Sequence, residues 1–322
     1  QPGGWRRLAP AALLVALLPV ALNASAASRR HGADARLAAD FAYDLLNSAP
    51  PYGVLFTYGD NDTFPLWWAQ EVAGIRRDVT VVCLALGNTD WYMRQLRDNP
   101  VRPLDTAALP EVWRSRMTRR PDWPLHTMSD SAIQTALSGF VVRETQSVAL
   151  GPVRRRLKAG TVLYPNDILM LNVIQHNVGR RPVIWGITAG REFGGLGDYV
   201  VQRGLGFELG TTRPDSTAPG LDFRRISTAP LDLAATERLV YRTYRYAGLL
   251  QDGAEHLETT SASIAASLSL PFTQLGYAAA DRGDSSAMAR ALDHAIALSP
   301  NADLRAALTR LRLEGPTAAA AP

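Results

Sequence analysis

The sequence predicts an α/β domain, a parallel-rich three-layer sheet with flanking helices, preceded by one transmembrane helix and followed by an α-helical segment. Three observations carry this. Two short apolar stretches, residues 54–56 and 78–86, each end in a loop of Gly, Asn, Asp and Thr and are joined by an amphipathic run, the pattern of a βαβ unit. Residues 8–22 carry no charge. Beyond about Leu231 the chain turns alanine-rich, with apolar residues at helical spacing.

The 322 residues are 47% hydrophobic and 20% charged, ordinary globular material with room for two domains. The formal net charge is only +4, and no Lys/Arg stripe interleaves with aromatics, so nucleic-acid binding has no support. The one dense basic cluster is Arg154, Arg155, Arg156 and Lys158. There a solvated hairpin competes with a phosphate or lipid-headgroup site. The single cysteine, Cys83, lies inside an apolar stretch and reads as a small buried hydrophobe.

At the start, Trp5-Arg6-Arg7 leads into the uncharged run, and small residues continue it to Ala27. A secretory signal peptide fits this pattern. A transmembrane helix over residues 8–27 fits it too, being as long as a bilayer requires. Because the chain opens on Gln1 and not Met, we read it as a piece of a longer protein and the segment as a membrane helix.

Residues 32–212 form the α/β domain. A first helix over 34–46 has Asp34 as its cap and Leu37, Phe41 and Leu45 on one face. In the stretch 54–73, Gly59 ends a strand, Asp60-Asn61-Asp62-Thr63 supplies caps, and Pro65 sits in the first turn of the helix that Gly74 stops. An echo follows in Gly87-Asn88-Thr89-Asp90 and then Trp91. A right-handed crossover sets both loops on the carboxyl edge of one sheet, where open α/β sheets bind ligands. Asp60, Asn61, Asp62, Asn88 and Asp90 are therefore expected to converge, Thr63 is counted with them as a candidate binding residue, and Trp67, Trp68 and Trp91 lie nearby as stacking surfaces.

Three accounts of these loops stand open. The carboxylates cap helices, or they and the amides recognise a sugar or a polyprenyl-phosphate sugar, or Asp60, Asp62 and Asp90 hold a divalent cation among oxygen ligands. No other cofactor is expected. Glycosidase acid/base chemistry would need two carboxylates at a defined separation.

Residues 99–130, rich in Pro, Arg and Trp, read as an irregular excursion fastened to the core by Trp113 and Trp123. His126 has no partner at metal-ligand spacing. Short strands at 140–150 and 161–164 flank the basic hairpin, and Pro165-Asn166-Asp167 opens a helix over 168–178. A third core strand, 183–188, exits through glycine-rich residues 189–198 that lack any phosphate-loop pattern, and 206–209 is a last extended piece.

The blocks FTYGDNDTFPLWWAQEVAGIRRDVTVV, NTDWYMRQL, NDILMLNVIQHN and RRPVIW resemble the C-terminal extracytoplasmic region of a bacterial membrane-protein family. That family, long catalogued as a domain of unknown function, is related to protein O-mannosyltransferase-like multispanning GT-C glycosyltransferases. The resemblance spans residues 8–188. It implies that residues 8–27 are the last membrane helix and that the rest lies in the periplasm at the bacterial inner membrane. It implies the lipid bilayer, a polyprenyl-phosphate sugar donor and a protein acceptor as partners. The family places its catalytic acid in an early loop between membrane helices that this chain lacks. The implied role here is therefore that of an accessory, substrate-binding domain.

Residues 213–231 have linker composition, and 232–314 are helical, with one helix over 236–250. Leu275, Gly276, Ala279, Leu292, Ala295 and Pro300 fall at tetratricopeptide-like spacing, with Arg282-Gly283-Asp284 at the turn. One such unit cannot bury its own face, so it packs on the α/β domain or offers a groove to a protein partner. The second possibility defines the alternative function, a membrane-anchored binding or scaffold module. Residues 315–322 read as a disordered tail.

Overall fold

Strand β1 (Val54–Thr57) is buried at all four residues, the mark of a strand covered on both faces. It sits near one side of a seven-stranded sheet in a computed structural model that describes residues 4–27, 35–190, 193–223, 228–255 and 257–315. Before it come α1 (Gly4–Ala27) and α2 (Leu37–Asn47). After it come α3 (Asp60–Glu71), β2 (Thr80–Cys83), α4 (Asp90–Asp98) and α5 (Asp130–Ala136). Two small ribbons follow, β3 (Phe140–Val141) with β6 (Val162–Leu163), and β4 (Gln146–Leu150) with β5 (Val153–Leu157). The chain then forms α6 (Pro165–Asn177), β7 (Val183–Gly186), β8 (Val200–Arg203), β9 (Gly206–Leu209), β10 (Leu221–Asp222) and β11 (Leu231–Asp232). Helices α7 (Leu233–Arg242), α8 (Ala247–Asp252), α9 (Thr259–Asp281), α10 (Ser285–Leu298) and α11 (Ala302–Glu314) complete it.

The sheet order is β10-β11-β8-β9-β7-β1-β2. β1 pairs in parallel with β2 and β7, and β8 with β11, whereas β7/β9, β8/β9 and β10/β11 are antiparallel. The sheet is thus mixed, a correction to the parallel-rich expectation. One source of the mixing is the tight Gly204-Leu205 turn, which returns β9 antiparallel to β8 without a crossover helix. Residues 213–231, expected as a linker, supply β10 and the first residue of β11 at the far edge.

Alternation along the strands feeds two cores. Val54, Phe56, Val82, Val183 and Trp185 face α4, α5 and α6. Leu55, Val81 and Ile184 face α2, α3 and the C-terminal helices. The tail therefore closes one side of the α/β unit. Its docking centres on Tyr244, in a break between α7 and α8 where one continuous helix was expected. Ser48 donates to the Asp44 carbonyl at 2.8 Å, so the Tyr244 hydroxyl donates to Ser48 Oγ and accepts the Leu205 N–H at 2.9 Å. That hydroxyl occupies the space a Cβ would need at Gly204, whose φ of +57° also favours glycine.

Among the described residues no helix is long and apolar enough to cross a membrane, which overturns the span expected at residues 8–27. The segment forms α1, with Pro10 and Pro19 inside it and the Asn23 amide donating to the Pro19 carbonyl at 2.7 Å. Its leucines, Leu13 to Leu22, are exposed. The expected cap Asp34, Arg191 and Glu192 of the glycine-rich exit, and residues 316–322 lie outside the described residues.

Two outcomes follow from the tail contact. A Cβ on Gly276 would meet Leu292 Cδ2 at 2.4 Å, and Leu292 is wholly buried. Gly276→Ala should therefore lower stability by about 1–3 kcal/mol. In urea unfolding, the G276A/L292A pair should lose less than the two single changes summed. The second concerns Asp44, whose buried Oδ2 has no hydrogen-bond partner among the described residues while Oδ1 accepts the Arg245 N–H at 2.7 Å. Burial holds its carboxyl well above the ordinary value of 3.8. Between that value and its folded pKa the folded chain keeps a proton that the unfolded chain loses, so this group's contribution declines as pH rises. The stability difference between Asp44→Asn and wild type should shift in the variant's favour from pH 4 upward, measured by urea unfolding across about pH 4–8.

Candidate functional site

The exits of β1 and β7 lie side by side on the carboxyl edge, where the chain leaves in different directions: β1 through α3 to β2, β7 away toward β8. A crevice at such a reversal is where doubly wound sheets take ligands. Here it is a cleft of about 470 Å³, with Tyr58, Asp60 and Asn61 on one side, Thr188 at its base, and Thr259, Thr260, Ser263 and Ile264 of α9 opposite.

Asp62 builds the near wall. Its Oδ1 accepts the Gly59 N–H at 2.9 Å and the Thr63 hydroxyl at 3.3 Å. Its Oδ2 accepts the Tyr58 N–H at 2.9 Å and the Thr188 hydroxyl at 2.6 Å. The carboxylate, 4% exposed, thus caps α3 and ties the β1 exit to the β7 exit. Thr63 lies beneath it, its hydroxyl 2.7 Å from that of Thr57.

Asp60 differs. It is exposed, one oxygen accepts only the neighbouring Asn61 N–H at 2.9 Å, and the other has no protein partner among the described residues. Asn61 beside it is exposed too, and the Tyr58 ring is 60% exposed at the mouth. The opposite wall presents three hydroxyls on the first turns of α9, whose leading N–H groups are already capped by Glu258.

The second loop does not join them. Asn88 accepts the Asn166 N–H at 3.3 Å and so holds the start of α6, and Asp90 accepts the Trp91 N–H at 2.7 Å and faces Gln134 of α5. Trp67 and Trp91 line a different groove of about 580 Å³ beside the edge strand β2, with Tyr92 between them. The expected single cleft is therefore divided. β2 is the last strand of the sheet, so its loop turns to the outer helices while the β1 loop turns to β7. Another depression of about 520 Å³, around Arg97, Asp98 and Trp123, lies at the far end of α4.

Sequence reasoning missed Tyr58, Thr188 and the α9 residues. The Glu258-Thr259-Thr260-Ser261 run signals a helix start, but nothing in the sequence aims that start at Asp60. Among the described residues no group of three or more His, Cys, Asp or Glu could hold a metal ion. His126 commits both ring nitrogens to backbone, Nε2 at 2.9 Å from the Met93 carbonyl and Nδ1 accepting the Met128 N–H at 3.3 Å, and burial pushes its pKa down.

Residues 38–119 match a family model described as TMEM260-associated domain 2. The match runs from α2 through β1, α3, β2 and α4 into the following excursion, about a quarter of the chain, and so contains Asp60, Asn61 and Asp62 but neither Thr188 nor α9. No curated protein and no solved structure matches the chain.

The two aspartates are separable by experiment. Asp62→Asn puts an amide N–H₂ against donors and should cost about 3 kcal/mol in urea unfolding, whereas Asp60→Asn should stay within about 0.5 kcal/mol of wild type.

Proposed function

We propose that this chain is an accessory domain of a GT-C-type glycosyltransferase, acting on the extracytoplasmic side, and that its cleft between β1, β7 and α9 recognises a sugar of the substrate. The observation that carries this reading is the composition of the cleft. It holds one carboxylate oxygen and one amide without a partner among the described residues, several hydroxyls and an exposed tyrosine. A carboxylate and an amide accept and donate to neighbouring sugar hydroxyls, and an aromatic face covers the apolar side of a pyranose. The partial family match over residues 38–119 lends the association with a TMEM260-type protein.

Recognition is favoured over catalysis by the state of the acids. Glycoside chemistry of the usual kind needs two carboxylates about 5–9.5 Å apart flanking one bond. In this cleft Asp62 has both oxygens committed to four donors, which leaves Asp60 alone. A cation site built on Asp60, Asp62 and Asp90 is disfavoured for the same reason, since Asp90 faces α5. The scaffold alternative draws less support, because Leu268, Phe272, Leu275, Leu292 and Leu308 of the tail are buried within the chain's own core.

The test is titration of the chain with methyl α-mannoside and with a short-chain polyprenyl-phosphate mannose, followed by saturation-transfer NMR and calorimetry. Asp60→Ala should weaken binding about tenfold or more with an unchanged melting temperature. A ligand held equally by wild type and D60A, or none held by wild type, overturns the reading.

A further inference from the structure

The ribbons β3/β6 and β4/β5 share one register. Phe140 pairs with Leu163, Val141 with Val162, Gln146 with Leu157 and Leu150 with Val153, each step along one strand matched by a step on the other. Backbone bonds from Val142 N–H to Thr161 at 2.9 Å and from Gly160 N–H to Val142 at 2.8 Å bridge the gap. The two ribbons are therefore successive parts of one hairpin, interrupted where the Thr161 N–H donates to the Lys158 carbonyl at 3.1 Å, and within each ribbon alternation gives two faces. The inner face buries Val142, Leu150, Val153, Leu157 and Leu163.

The outer face carries Arg143, Arg154, Arg156 and Lys158, all exposed, and ends in Val141, Val162 and Tyr164, which are 55%, 47% and 62% exposed. Among the described residues no ion pair engages these four cations. The one acid of the hairpin, Glu144, is exposed too and lies in the unpaired stretch between the ribbons. Five basic residues against one acidic give residues 140–163 the whole chain's net charge of +4, so the remainder is neutral overall.

We propose that the outer face of this hairpin docks on an anionic phospholipid surface, its cations on headgroup phosphates and Val141, Val162 and Tyr164 in the interfacial layer. Clustered cations are drawn to anionic lipid, and an amphipathic tyrosine beside exposed valines suits the headgroup boundary. A nucleic acid would use the charge and leave the apolar end without a role, which favours the bilayer. The proposal is independent of the sugar reading of the cleft.

The test is co-sedimentation of the full chain with vesicles of phosphatidylcholine alone or with about one-third phosphatidylglycerol, at low and high salt. Binding should require phosphatidylglycerol and fall with salt. R154Q/R156Q should weaken it about 25-fold, roughly fivefold per cation. V141S/V162S should weaken it while leaving the salt dependence in place. Should R154Q/R156Q fail to fold, R143Q/K158Q removes two charges from the same face and reads the same loss. No binding to either vesicle, equal binding to both, or binding that survives the charge changes overturns the proposal; the last would assign it to another element, such as the exposed leucines of α1. Capture on heparin or DNA with none on vesicles overturns it as well.

Discussion

One carboxylate fixes the geometry at the carboxyl edge. Asp62 gathers two backbone N–H groups from its own turn, one hydroxyl from its own helix and one from the end of β7. Charge-assisted bonds of this kind are the strong ones, and a helix N-terminus adds a favourable field. The consequence is positional. With Tyr58 and Gly59 pinned through their amides, the Tyr58 ring and the Asp60 carboxylate are left facing outward, and Thr188 is held at the base of the cleft. Asp62 itself retains no oxygen for a ligand. The residue that looks most like a catalytic acid in the sequence is the one that makes the cleft rigid.

Much of this was legible beforehand where local chemistry decides the outcome. The apolar runs at 54–57 and 80–83 are parallel neighbours joined through α3, because a short βαβ unit has one favoured hand and the run between them has a capping start and a glycine stop. Cys83 is buried, and Trp113 fastens its segment by donating to the Asn47 carbonyl at 2.8 Å. What could not be read depends on long-range placement. β10 and β11 are two residues long, too short to show a period, and gain their identity from the edge they join. The split of the acidic loops depends on β2 being the edge strand, a fact fixed only once β7 is known to take the other side of β1. The membrane span at residues 8–27 was drawn from an uncharged run of bilayer length, from the Gln1 start and from the family resemblance, whereas among the described residues no helix is long and apolar enough to cross a membrane.

The tail is the other half of the cleft. The spacing read at 275–300 falls on α9 and α10, where Gly276 lets Leu292 approach the α9 backbone, and α11 packs after them. Where that unit docks is written elsewhere, in Ser48, Asp44, Gly204 and the break at Tyr244. These are polar atoms in an apolar contact, so they specify one orientation more than they add stability. The Tyr43 ring beneath the Arg245 guanidinium, 3.5 Å from its centroid, fixes the same turn from outside.

That docking decides whether the cleft has both of its walls. Tyr58, Asp60 and Thr188 come from the sheet edge, while Thr259, Thr260 and Ser263 come from a helix that reaches them only when the tail is seated. A ligand that contacts both walls binds the docked arrangement and not an undocked one, and by linkage it must stabilise docking by the same free energy that docking lends to its affinity. The carboxylate of Asp44 sits within this contact with one buried oxygen unpartnered among the described residues, so its ionisation opposes docking. The family match ends before α9 begins, so the half of the cleft it contains is the half that Asp62 holds rigid, and the half it does not contain is the one whose position the Tyr244 contact decides.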